Sequence, residues 1–258
     1  MKNSAAVLLS AVLMAGCGGG GGGGSSQSAP PPVTNASPGG IWVGTLGTGQ
    51  EVLGLVTESG EFHFVDVNEL VQYFGTVSVN GNAVSSQFTG YAALGLGFPD
   101  GTTRGTGSLT GTVQARSTFT ASSTFQTSGG TSNTNAINLT YDSAYDRDSS
   151  LATIAGNFTD LATGAIVNIN SSGVAFAQNA ATGCVLNGNV SIINAQFNAY
   201  RVQYSYSNCQ GVDAILNGAT LRGLAALDNS ESPELLVVLS QGQIGSTGVA
   251  AVIALERT

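Results

Sequence analysis

From residue 41 onward the chain is written in short alternating segments rich in Val, Thr, Ser and Gly, separated by turn pairs such as Ser59-Gly60, Asn80-Gly81 and Asp100-Gly101. Strict alternation puts every second side chain on one face of a strand, and a glycine at the turn gives the backbone the freedom that a tight reversal needs. An amphipathic helix needs an apolar period of about 3.6 residues, and no long segment keeps one. Strands are expected near 41–46, 51–57, 61–67, 73–79, 83–91, 106–114, 116–126 and 136–141. A second series is expected near 154–159, 165–170, 173–178, 184–193, 199–207, 215–225, 234–240 and 247–256. A helical turn is the alternative at residues 66–71.

The two series look like one pattern written twice. Gly60-Glu61-Phe62-His63-Phe64 matches Gly173-Val174-Ala175-Phe176, and Gly75-Thr76-Val77-Ser78-Val79 matches Gly188-Asn189-Val190-Ser191-Ile192, both at an offset of 113 (188 − 75). Gly40-Ile41-Trp42 aligns with Gly156-Asn157-Phe158 at 116. The expected fold class is therefore all-β: antiparallel meanders in two tandem eight-stranded halves, barrel-like or sandwich-like, over 40–143 and 150–258. One continuous sandwich or barrel built from both halves is the alternative.

The first 39 residues have a different character. Lys2 precedes a short apolar stretch, 5–14, which is too short to span a bilayer and fits a cleaved secretory signal over 1–16. Met14-Ala15-Gly16-Cys17 resembles the lipobox of bacterial lipoproteins. That resemblance implies cleavage before Cys17, lipidation of its sulfur, and anchoring to the outer membrane, since Gly18 rather than Asp follows the cysteine. Residues 17–39 carry an unbroken glycine run and Pro30-Pro31-Pro32, and read as a disordered tether whose last 22 residues span about 25 Å.

Composition narrows the partners. The one lysine leaves with the signal, so six arginines face fifteen carboxylates and the mature net charge is 6 − 15 = −9. Nucleic acid and anionic lipid surfaces are poor partners for such a chain. The expected partners are the membrane, through the anchor at Cys17, and a small apolar ligand or an envelope protein.

Cys184 and Cys209 are an even pair in an exported chain, which favours a disulfide. The hairpin between them can be registered from its apolar faces. Leu186, Val190 and Ile192 share one face, as do Tyr200, Val202, Tyr204 and Tyr206, so Leu186 opposes Tyr206, Gly188 opposes Tyr204, Val190 opposes Val202 and Ile192 opposes Tyr200. A three-residue loop at 195–197 then closes the hairpin, and Tyr204 covers the gap at Gly188. The cysteines lie one residue out of this register, so the bridge requires a bulge near Asn208 or a frayed strand end.

Chemistry-bearing clusters are few. His63 is the single histidine, and Asp66, three residues along a strand, falls on the opposite face. One histidine and two bridged cysteines do not make a zinc or copper site, and no cofactor motif is present. Asp142, Asp146 and Asp148 read as a solvated loop between halves; they lack the spacing of a calcium loop. Leu94, Leu96 and Phe98 recur at even spacing between glycines, and are taken as ligand-binding residues of a mobile flap over the mouth of the first half.

Gly40-Ile41-Trp42 resembles the glycine-any-tryptophan motif of lipocalins, whose eight-stranded meander barrels hold small apolar ligands. The resemblance implies that Trp42 closes a barrel base and packs against a basic residue, for which Arg116 is the candidate. The expected function is a non-catalytic, outer-membrane-anchored binding module. A structural or adhesion-type protein acting through an exposed strand edge such as 117–127 is the alternative, ahead of a hydrolase using carboxylates alone.

Overall fold

The computed structural model describes residues 34–258 apart from Glu231 and Ser246. Cys17, the signal and most of the tether lie outside the described residues. The sixteen expected strands are all present, closed into two antiparallel barrels. The first uses β1 (Gly40–Leu46), β2 (Glu51–Val56), β3 (Glu61–Asp66), β4 (Val71–Thr76), β5 (Ser78–Asn80), β6 (Ala83–Ala92), β7 (Arg104–Gln114), β8 (Thr118–Thr127) and β9 (Ser132–Asp142). It closes through β1 with β9 and β4 with β6. β4 and β5 are one stave in a single register against β6, interrupted at Val77. There the Val77 N–H donates to the Gly60 carbonyl, 2.9 Å away, and the Ser86 hydroxyl takes up the Thr76 carbonyl at 2.8 Å.

The second barrel uses β10 (Gly156–Asp160), β11 (Ile166–Ile169), β12 (Val174–Gln178), β13 (Val185–Ile192), β14 (Tyr200–Ser207), β15 (Thr220–Asp228), β16 (Leu235–Ile244) and β17 (Thr247–Arg257), with β10 pairing β17. Of residues 66–71, the four at 67–70 form a turn between β3 and β4, its reversal held by the Asp66 carboxylate accepting the Asn68 and Glu69 N–H groups. β15 starts at Thr220, not at 215, because 211–216 coils into a short 3-10 helix.

The repeat is carried by the backbone. Gly60 donates to Thr57 and receives from Val77; 113 residues later Gly173 donates to Asn170 and receives from Val190, with N···O distances of 2.7–2.9 Å. Both glycines are left-handed, at φ 88° and 83°, and a Cβ on either would sit 2.4 or 2.2 Å from the partner carbonyl oxygen. Only glycine fits such a turn.

Two expectations are corrected here. The tether ends before Gly39: Asn35 and Ala36 hydrogen-bond Gly81, and the Pro38 carbonyl accepts the Trp42 indole N–H at 3.1 Å. The β8 edge expected at 117–127 does not exist, because β8 pairs along its length with both β7 and β9.

The barrels meet along a buried seam, where Leu55 and Tyr145 pack against Ala199 and Leu224. Gln72 donates its amide to His63 Nδ1 (3.1 Å) and to the Ser240 carbonyl (2.9 Å), and accepts from the Ser240 N–H (3.1 Å). Asn198 reaches the carbonyls of Ala144 and Leu227 and receives the Leu227 N–H. Tyr91 of β6 lies against Gly248 of β17, where a Cβ would come within 2.3 Å of its ring.

Candidate functional site: the second barrel is hollow

The first barrel is filled with aromatic rings. Phe62, Phe64, Phe88, Phe119 and Phe125 pack inside it with Trp42, which meets Phe119 and Tyr141 edge-on at 5.8 and 5.5 Å. The residual void is about 40 Å³, too small for an organic ligand.

The second barrel encloses a cavity of about 310 Å³, at the lower end of the range of small-molecule pockets. Its wall comes from the inward residues of the strands, among them Val167, Ala175, Ala177, Val202, Leu236 and Val238. The difference from the first barrel lies at matched positions. Phe62 and Phe64 point into the first barrel, and the inward residues 113 positions later are Ala175 and Ala177. Phe64 lies over Gly54, its strand partner, where a Cβ would be 1.9 Å from the ring. The corresponding pair is Val167 with Ala177. Ring and glycine fill the space in one barrel; in the other, two small side chains leave it open.

One end of the cavity is closed. Ile154, in the short helix Leu151–Ile154, and Phe158 have no exposed surface, and the Arg257 guanidinium stacks over the Phe158 ring at 4.8 Å. Arg257 also bonds the carbonyls of Thr153 and Ala155 and pairs with Glu234 at 3.0 Å. A last-strand base thus covers the aromatic of the Gly-any-aromatic triplet in the second barrel. The expected partner in the first, Arg116, is not on Trp42; it pairs with Asp146 at 2.7 Å and stacks over Phe197 at 5.5 Å, across the seam.

The other end is the mouth, lined by Asp160, Thr163, Asn179, Thr182, Asp213 and Leu216. The Cys184–Cys209 disulfide ties β13 to the loop that carries the 3-10 helix. Asn217 clamps the same loop, accepting the Cys209 N–H at 2.8 Å and donating to its carbonyl at 3.0 Å. The hairpin register is as expected at all four pairs, Tyr204 covers Gly188, and Asn208, at φ 58°, is the irregularity that brings Cys209 back to Cys184. The closing loop is longer than three residues. Pairing stops at Ile192 with Tyr200, because Asn194 caps a turn and Asn198 is committed to the seam.

The segment taken as a flap over the first half behaves otherwise. Phe98 is buried in the first barrel, 5.3 Å from Phe125, while Leu94 and Leu96 are 44% and 48% exposed. It is a turn, not a strand: Leu96 donates to Ala93, Phe98 to Thr102 and Gly101 to Phe98. Its apolar residues therefore do not share a face. Ala93 bridges to Ala250 of β17, and Leu94 reaches the rim of the second cavity.

Inside the cavity the Tyr204 hydroxyl is matched to Ser240 at 2.7 Å, and burial pushes its pKa well above the ordinary phenol value. His63 sits in the seam with Gln72, and burial lowers its pKa; the Asp66 carboxylate is used in its own turn. Asp142 caps the turn at Ala144 and Asp146 pairs with Arg116. Among the described residues no group of three His, Cys, Asp or Glu side chains is placed to hold a metal ion. Comparison with protein-family models, curated proteins and solved structures finds no match to this chain.

Proposed function

We propose that this chain is a non-catalytic binding module, held at the outer membrane through Cys17, whose second barrel takes up a small apolar ligand. The observation that carries the reading is the enclosed cavity of about 310 Å³ with its mouth fixed by a disulfide. Interiors pack to crystal-like density, and a large apolar void without an occupant forgoes dispersion contacts on every wall. The filled first barrel then acts as the scaffold that connects the ligand module to the tether and contributes Leu94 to its rim.

Displacement of an apolar fluorophore by decanol tests the cavity. Saturable one-to-one displacement is expected; the absence of a saturable site on the folded protein would sink the reading.

A further inference from the structure

The mouth carries charge of one sign. Asp160 and Asp213 line it with the neutral side chains of Thr163, Asn179 and Thr182, and no arginine, lysine or histidine is among the residues that line the cavity. Of the basic side chains near the second barrel, Arg201 pairs with Glu61, Arg147 and Arg257 pair with Glu234, and Arg222 donates to Gln203. Asp160 has a fixed geometry, one oxygen accepting the Ala162 N–H at 3.0 Å and the other the Thr163 hydroxyl at 2.7 Å. Tyr206, just inside, feels the same field. Burial first, and then the Asp160 and Asp213 charges, raise its pKa to about 12, so its hydroxyl stays protonated.

An apolar body seated in this barrel must leave its polar end at those carboxylates. A second anion there meets like charge in a partly desolvated rim, whereas a cation gains from both aspartates. We infer that the second-barrel cavity selects amphiphiles by head group, accepting an alkyl body that ends in a cationic amine and rejecting the matching carboxylate. The inference rests on the proposed function, since it assigns the polar end of a ligand whose apolar end the cavity would hold.

Three probes with one tail separate the two claims: decylammonium, decanol and decanoate, titrated into the full-length protein near neutral pH and low salt. Decylammonium is expected to bind tighter than decanol, and decanol tighter than decanoate, each step about threefold to fivefold. Added salt should narrow the spread. Asp213→Asn, at the half-buried rim, should weaken the amine and strengthen the carboxylate, so that the ratio between them narrows. Equal binding of all three, or decanoate tightest, would overturn the head-group inference and leave the cavity standing. An order that Asp213→Asn does not move would overturn it too. Failure of decanol itself would remove the cavity reading.

Discussion

Phe64 and Ala177 occupy the same inward position in two barrels of one plan, 113 residues apart, each buried against its own core. Their strand partners differ in the complementary sense: Gly54 under Phe64, Val167 beside Ala177. At the neighbouring pair the partner is glycine in both barrels, Gly75 opposite Phe62 and Gly188 opposite Ala175, and only the inward residue differs. The open interior of the second barrel thus reduces to a few side-chain exchanges on a shared backbone.

Transplanting the first-barrel set follows directly. The variant Ala175→Phe, Val167→Gly, Ala177→Phe is expected to keep the far-ultraviolet spectrum of a β protein, with about 1–3 kcal/mol lost or gained as the core repacks. Decanol binding should weaken at least about tenfold. Undiminished binding by a folded variant would place the ligand outside the barrel.

The disulfide should matter most at the mouth. It closes a 26-residue loop (25 residues of separation), for which chain entropy gives about 3.5 kcal/mol at most. Cys184→Ser with Cys209→Ser is expected to lower Tm by on the order of 10 °C for a unit of this size. Amide exchange should quicken first around 208–219, where the Asn217 side chain and the bond from the Gln210 N–H to the Thr182 carbonyl would still hold the loop. Unchanged exchange there would mean that the clamp suffices.

His63 gives the seam a pH dependence. Burial depresses its folded-state pKa below 6.5, the value of the unfolded chain, so above 6.5 the imidazole is neutral in both states and its contribution is intact. As pH falls below 6.5 the unfolded state takes the proton more readily, and stability declines towards the folded pKa, by up to about 1.4 kcal/mol per pH unit. His63→Gln should flatten this part of the curve in denaturant titrations compared between near-neutral and mildly acidic buffer. Wild-type and variant curves with the same slope would show that the histidine is not the sensor.

Cys17→Ser is expected to move the protein from the membrane to the soluble fraction with its fold unchanged, because a lipidated cysteine with several acyl chains anchors far beyond the one-chain threshold. A variant that stays with the membrane after a salt and carbonate wash would contradict the lipid anchor.

The strands were readable because period-two alternation and turn glycines are local signals, and the β13–β14 register because its tyrosines leave one way to share a face. The mouth was less readable. Ile215 and Leu216 extend an apolar pattern towards β15, yet 211–216 coils and leaves Val212 92% exposed. Leu94, Leu96 and Phe98 alternate as a strand does, but Gly95, at φ 82°, turns the chain and sends Phe98 into one barrel and Leu94 to the rim of the other. The cavity was written at positions 175 and 177. Seeing it required knowing that the repeat is in register at Gly60 and Gly173, so that two alanines stand where phenylalanines fill the first barrel.

Methyl chemical shifts of the full-length protein titrated with decanol test the central claim most directly. The account predicts saturable shifts at Val167, Val202, Leu236 and Val238, inside the second barrel, with Val52 and Leu109 of the first barrel still. Shifts at Val52 and Leu109, or small unsaturable shifts spread over the surface, would contradict it.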